Sequence, residues 1–357
     1  MRFLVTTLVI LSLAATASAQ QLNLTISLSY QGQTLEGMPL NSTEARVHLL
    51  GRDGKLWDFP PQEATNFKKL ADGFGPYSHI EFRGALLKEF GREFDVSATG
   101  HYLVVHPAGQ RDKWAPRFEE LYRSFAQYFS TRGLTLEPPK FPLVAVVLPT
   151  QSEFLAMAER EGVTLNSFIL GYYSPVSNRI LMYDSGRSRD EKSEWLTNAE
   201  TIVHEATHQT AFNTGVHSRY APPPRWAAEG LGMLFEARGV WNSRENNKQA
   251  DRINKVRLKS FQNYWKSRQN GTLAEIISSD RCFQVTPDQG YAEAWALTFY
   301  LSETEPRKWV QYLAKTASHP PFVAIDEATR IKDFTSIFGD DLQQIETLYL
   351  RYMADIK

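Results

Sequence analysis

Cysteine is nearly missing from this chain. Its 357 residues include one, Cys282, so no disulfide can form within it, and a lone thiol of this kind reads as a small apolar side chain. Neither sign of charge is in excess: 39 Lys and Arg face 40 Asp and Glu, a net −1. That removes the electrostatic footprint of a nucleic-acid partner or of binding to an anionic membrane surface. No segment beyond the N-terminus is long and apolar enough to span a bilayer, which takes about 20 residues. Internal repeats, a glycine-rich phosphate loop and a nucleophile elbow are missing as well. What remains is ample core material, 42% hydrophobic and 12% aromatic, over a length that suggests two domains.

Residues 1–19 carry one basic residue, Arg2, then a short apolar run ending in Ala17-Ser18-Ala19. This predicts a secretory signal peptide, hence a secreted or periplasmic protein with no stable membrane span after its removal. From 20 to 110 the texture is two-residue alternation and turns. Residues 22–30 alternate cleanly as a strand. Residues 47–50 and 55–59 flank Arg52-Asp53-Gly54 as a hairpin, and 94–96 with 101–106 make a second around Thr99-Gly100. The expectation is a β-rich N-terminal domain over 20–110. His101 and His106, five apart on a strand, face opposite sides and have no metal role.

Helical spacing takes over in 111–357. Phe118, Leu121, Tyr122, Phe125, Tyr128 and Phe129 form one wide apolar face within 114–131. Residues 141–148 are nearly all apolar, which predicts a strand buried on both faces. A short helix over 153–161 and a hairpin of 169–173 with 179–183 follow. Segments 252–265, 273–277, 309–317 and 342–353 read as amphipathic helices of a helical lobe.

Between these lies His204-Glu205-Ala-Thr-His208, in a helix expected to start at a capping box, Ser188 and Glu191, and to end at Gly215. Four residues apart on a helix means about 40° of azimuth and roughly 6 Å of rise, so both imidazoles can reach one ion. Glu205 projects about 100° further round, beside that ion, where its carboxylate can take a proton from water. A zinc site needs a third protein ligand. Glu229 is the best candidate, 21 residues past His208 in Trp226-Ala-Ala-Glu229-Gly230-Leu-Gly232. The turn at Pro222 to Pro224 can reverse the chain so that a second helix packs antiparallel, with Gly230 and Gly232 allowing close approach. A His-His-Glu set leaves one position open for water.

Other candidates are weaker. His217, nine residues after His208, departs from a His-x-x-Gly-x-x-His continuation, whose third histidine would fall at Thr214. Arg219, in the same loop, is the candidate substrate-binding cation. Glu236, seven residues from Glu229, reads as a helix cap or a solvent-facing acid. Glu200, one turn before His204, reads as a surface acid or as a partner behind a ligand. Tyr291 opens a helix after the turn 287–290 and either stabilises an oxyanion or packs on Trp295.

The run from 200 to 236, with His204, Glu205, His208, Asn213, Gly215, His217, Arg219, Trp226, Glu229 and Gly230, resembles the gluzincin peptidases of the peptidase MA-like type. More narrowly, it is similar to a secreted bacterial family of otherwise unknown function. The resemblance covers roughly residue 94 onward and is specific in the two motif segments. It implies an α+β fold, a zincin-like metallopeptidase domain of small mixed sheet and helical lobe, preceded by the β-rich domain. It also implies Zn2+ at His204, His208 and Glu229, Glu205 as general base, and an oxyanion donor from a later helix, for which Tyr291 is the choice. Such relatives often carry alanine where this chain has Gly232, a small-for-small exchange. The function expected is therefore a secreted zinc-dependent hydrolase that cuts a peptide or protein substrate. The alternative is a non-catalytic zinc-containing module of the cell envelope that binds peptide or is structural; hydrolysis of a non-protein amide is a third reading.

Overall fold

The computed structural model describes residues 23–110, 113–185 and 191–356, without the side chains of 191–198 and 200. The expected signal peptide and the capping box at Ser188 lie outside these residues. The chain divides into two compact units. One holds the described residues up to Arg52 together with Leu56–Gly75; the other holds Asp53–Lys55 and Pro76 onward.

In the first unit β1 (Leu24–Tyr30) alternates as its sequence demands, burying Ile26 and Leu28 on one face. It pairs with β2 (Gln33–Ser42) through a two-residue turn, Gln31-Gly32, in which both φ angles are positive, as a tight hairpin requires. β3 (Val47–Gly51), β4 (Leu56–Phe59) and β5 (Ala64–Asp72) complete an antiparallel sheet of order β4-β3-β2-β1-β5. Its core is Ile26, Leu28, Leu35, Leu49 and Phe59.

The second unit opens with α1 (His79–Phe90), started by a complete capping box between Ser78 and Glu81. Then come β6 (Phe94–Ala98), β7 (Tyr102–Pro107), α2 (Ala115–Ser130), β8 (Leu143–Leu148), α3 (Gln151–Arg160), β9 (Gly171–Ser174) and β10 (Arg179–Tyr183). The sheet order is β6-β7-β8-β10-β9, with β7, β8 and β10 mutually parallel and the two edge strands antiparallel to their neighbours. β8 is buried on both faces. Leu143, Ala145 and Val147 join the cluster of α2 and the later helices; Val144, Val146 and Leu148 join Phe82 and Leu86 of α1 and Phe154 of α3. The expected domain limit at 110 therefore moves. The hairpin β6–β7 was assigned to the N-terminal domain, yet β7 hydrogen-bonds in parallel to β8, so the units part at Gly75.

The rest of the chain is helical: α4 (Glu191–Asn213), α5 (Arg225–Phe235), α6 (Arg238–Trp241), α7 (Lys255–Tyr264), α8 (Thr272–Ser278), α9 (Cys282–Val285), α10 (Pro287–Thr304), α11 (Pro306–Ala317), α12 (Glu327–Phe338) and α13 (Leu342–Asp355). With two sheets and a helical C-terminal part, the architecture is mixed α+β. α10 runs through the helical part, burying Ala292, Ala294, Trp295, Ala296, Leu297, Phe299 and Leu301. Against it lies α5, so close that a Cβ on Gly230 would overlap Thr298 and the Ala294 carbonyl. Trp226 of α5 stacks on Tyr312 of α11 at 5.4 Å. Arg268 bridges Glu293 of α10 and Glu346 of α13 at 2.5 and 2.8 Å, a buried network whose members are paired and so tolerable in an apolar setting. Among the described residues, no helix is long and apolar enough to cross a membrane.

Candidate metal centre

α4 is clamped to the second sheet by its own polar side chains. The Gln209 amide donates to the carbonyls of Val144 and Asn178, both at 2.9 Å. Asn213 and Asn178 exchange amide hydrogen bonds at 2.7 and 2.9 Å. These contacts fix the rotation of the helix, and with it the direction of the motif residues. Gly215, at φ 84°, turns the chain out of α4, and Pro224 precedes the first residue of α5.

Three side chains converge between α4 and α5. His204 Nε2 lies 3.0 Å from His208 Nε2, and Glu229 Oε2 lies 3.5 and 3.7 Å from the same two nitrogens. Ligands in a tetrahedron around zinc at about 2.0–2.1 Å are roughly 3.3 Å apart, so these separations fit a single ion. Among the described residues this is the group that could hold a metal. The side chains are 18%, 12% and 19% exposed, sheltered yet within reach of solvent.

Behind His204 stands an acid that the sequence reading missed. Glu236 accepts from His204 Nδ1 at 2.7 Å, which fixes the ring proton there and leaves Nε2 to face the shared point. Its other oxygen accepts from Asn254, the N-cap of α7, at 2.6 Å. Glu236 was expected to cap or face water; seven residues from Glu229 is two helical turns, so both acids share one face. The Glu200 side chain lies outside the described residues. Gly232 also matters more than a small-for-small exchange implies, because a Cβ there would lie 2.8 Å from His204 Cε1 and the ring would have to move.

The electrostatics follow from these contacts. Burial depresses the His204 pKa, but Glu229 and Glu236 outweigh it and raise it well above the ordinary value. Burial pushes Glu229 up, and the two imidazoles overcome that and hold it well below the usual carboxylate range. Glu205 is shifted the other way: burial raises it, Glu229 adds to the rise, and the imidazoles only partly offset it. Its Oε2 accepts at 2.7 Å from the backbone N–H of Tyr173 on β9, the edge strand of the sheet. Glu205 is therefore beside the three converging atoms without being one of them.

Tyr291 reaches the site through a residue not singled out from the sequence. Its hydroxyl accepts from Arg225 Nη2 at 2.8 Å, and Arg225 Nε is 3.6 Å from Glu229 Oε1. Arg225 stands one helical turn before Glu229, a spacing that puts both on one side of α5. Burial, then Glu229, raise the Tyr291 pKa, so the hydroxyl keeps its proton. Its ring meets Phe283 edge-on at 5.3 Å, where Trp295 was the expected neighbour.

Arg219, expected to bind substrate, is occupied otherwise. It is buried, and its Nε and Nη2 donate to the carbonyls of Pro175 and Gly54 at 2.6–2.9 Å, fastening the turn between β9 and β10. Those donors serve the backbone, which gives Arg219 a structural part. His217 is buried against Phe212 at 5.2 Å, outside the triad, and burial pushes its pKa down to about 3, so it is neutral. His106 is also buried, accepting or donating with Ser97 at 2.7 Å. The Cys282 thiol is pushed up to about 11 by burial, which makes it unreactive at neutral pH.

A family model described as a protein of unknown function (DUF1570) matches residues 198–323. Over that stretch the chain is similar to this family. The match spans His204, Glu205, His208, Glu229, Glu236 and Tyr291, and covers the helices from α4 to α11 except for the start of α4. No curated protein matches the chain.

Proposed function

We propose that the protein is a secreted or periplasmic zinc-dependent hydrolase, a metallopeptidase whose larger unit has a zincin-like arrangement. The observation that carries this reading is the meeting of three ligand atoms from α4 and α5 beside a fourth side chain, Glu205, that is not among them. A structural zinc site fills all four positions with protein ligands, whereas a catalytic one uses three and keeps one open. His204, His208 and Glu229 would hold the zinc, which would supply Lewis acidity toward a carbonyl and toward water. Glu205 is the proton carrier. The Tyr173 N–H fixes one of its oxygens, and its raised pKa suits it to accept a proton from attacking water and return it to the leaving amine. Tyr291 keeps its hydroxyl proton and offers it to the developing oxyanion, while Arg225 occupies a lone pair on the same oxygen. β9 is a sheet edge, and an extended peptide can lie along it through main-chain hydrogen bonds. The apolar run and Ala-x-Ala ending of residues 1–19 support export.

The rival, an envelope module with a purely structural metal, has no use for a buried carboxylate tied to the edge strand. The two readings part on Glu205→Gln. Zinc-loaded wild type and Glu205→Gln are incubated with a peptide library and the products read by mass spectrometry. Cleavage by wild type, slowed by about 10²–10⁴-fold in the variant, is the expected result. A fully loaded wild type that cuts nothing, or a variant that cuts as fast, overturns the proposal.

A further inference from the structure

Two guanidinium groups meet at Tyr291 beside the candidate centre, Arg225 sharing Glu229 with the two imidazoles and Arg257 without an acid of its own among the described residues, and what they could recognise follows from that; the inference takes the hydrolase reading as its starting point. Arg225 reaches from Glu229 Oε1 to the Tyr291 hydroxyl, and its side chain is 41% exposed. Arg257, in the first turn of α7, lies with its guanidinium carbon 5.5 Å from the centre of the Tyr291 ring; that of Arg225 lies 5.7 Å from the same point. Arg257 Nε is buried with no hydrogen-bond partner, and Arg257 makes no ion pair among the described residues. The nearby acids are engaged. Glu229 faces both imidazoles, Glu236 is held by His204 and Asn254, and Asp280 accepts two hydrogen bonds from Arg330 as well as the backbone N–H of Arg225. A sheltered donor without an acceptor is costly, and a positive flank beside an open metal position favours a negative group on whatever binds there.

We infer that Arg225 and Arg257 form a carboxylate-binding subsite beside the metal centre, so that the substrates are peptides with a carboxylate next to the cleaved bond. The guanidinium fork matches a carboxylate in two parallel hydrogen bonds, which gives orientation as well as affinity. The carboxylate has two sources: the free C-terminal acid of the peptide, which makes the enzyme trim chain ends, or an Asp or Glu side chain, which makes it select acidic sequences. Either way Arg225 and Arg257 determine specificity, while Glu205 and the metal ligands serve the reaction.

The test reads binding, not turnover. Zinc-loaded Glu205→Gln protein is titrated calorimetrically with pooled acetylated hexapeptides in four forms: free acid, C-terminal amide, amide with one glutamate, and amide with glutamine in its place. One acid-bearing form is expected to bind about tenfold or more tighter than its neutral twin, and which pair differs identifies the source of the carboxylate. Adding Arg257→Gln, or separately Arg225→Gln, is expected to reduce that ratio to near one, with unchanged zinc content and melting temperature certifying the fold of each variant. Equal binding of acid and neutral twins, no binding of either, or a ratio that survives both substitutions overturns the subsite. Cleavage is scored separately: acid-selective binding by a protein whose wild type cuts none of the peptides refutes the hydrolase and leaves the subsite standing.

Discussion

Glu236 shows how much a candidate metal centre would depend on what stands behind the side chains that form it. Without its carboxylate, His204 Nδ1 loses its acceptor, and neither the tautomer nor the ring angle that aims Nε2 is held. Glu236→Ala is expected to lower zinc affinity by about 10–100-fold, measured by competition with a chromogenic chelator, without loss of the fold. Affinity equal to wild type would show that Glu236 does not orient the ring. At this scale the sequence was informative wherever one helix sets the geometry: His204, Glu205 and His208 sit on α4 as their spacing dictates, and Glu229 meets them. Glu229 was reachable across two helices because a proline turn and close-packing glycines mark how α5 returns to α4; where packing between elements leaves no such mark, the sequence was silent. Arg219 is polar and near the motif, which suggested a ligand-binding cation, but only the path of the turn after β9 reveals that carbonyls take up its donors. Glu236 was legible in principle, since its seven-residue offset from Glu229 fixes a shared helix face.

Elements were legible in proportion to how one-sided their surroundings are. β8 reads as a continuous apolar run because it has a core on each face, and α2 as an apolar stripe because it has one. α1 was missed inside a β-rich stretch: it buries only Phe82 and Leu86 and leaves Ile80 exposed, so its stripe is faint, although the Ser78 and Glu81 capping box marks its start. β5 leaves almost every residue exposed and so has no alternation to read. The contact of α5 with α10 is likewise hidden in sequence as a plain glycine. Any side chain at Gly230 meets Thr298 and the Ala294 carbonyl, and the helix backbones must separate. Gly230→Val is expected to destabilise the protein by about 1–3 kcal/mol and to lower its melting temperature by several degrees. An unchanged melting temperature would mean that α5 and α10 are not in close contact.

For the whole molecule, composition foretold substantial cores, the change from alternating to helical spacing foretold a mixed α+β chain, and neither placed the division of the units at Gly75. The parallel pairing of β7 with β8 links residues 41 apart in sequence, and no local pattern announces it. The motif and its partner acid lie in different helices of the larger unit, joined by a turn of prolines, so the three-ligand set exists only once that unit has folded. Binding of a metal there would be coupled to folding, and the ion would stabilise the native chain by mass action. The central claim, one divalent ion held by two imidazoles and one carboxylate, is tested most directly by counting zinc in purified wild type, His204→Ala, His208→Ala, Glu229→Ala and Glu205→Gln by plasma mass spectrometry after dialysis against zinc. The account predicts one zinc per chain in wild type and Glu205→Gln, and a large loss in each of the other three. A full complement of zinc retained by Glu229→Ala, or none in wild type, would contradict it.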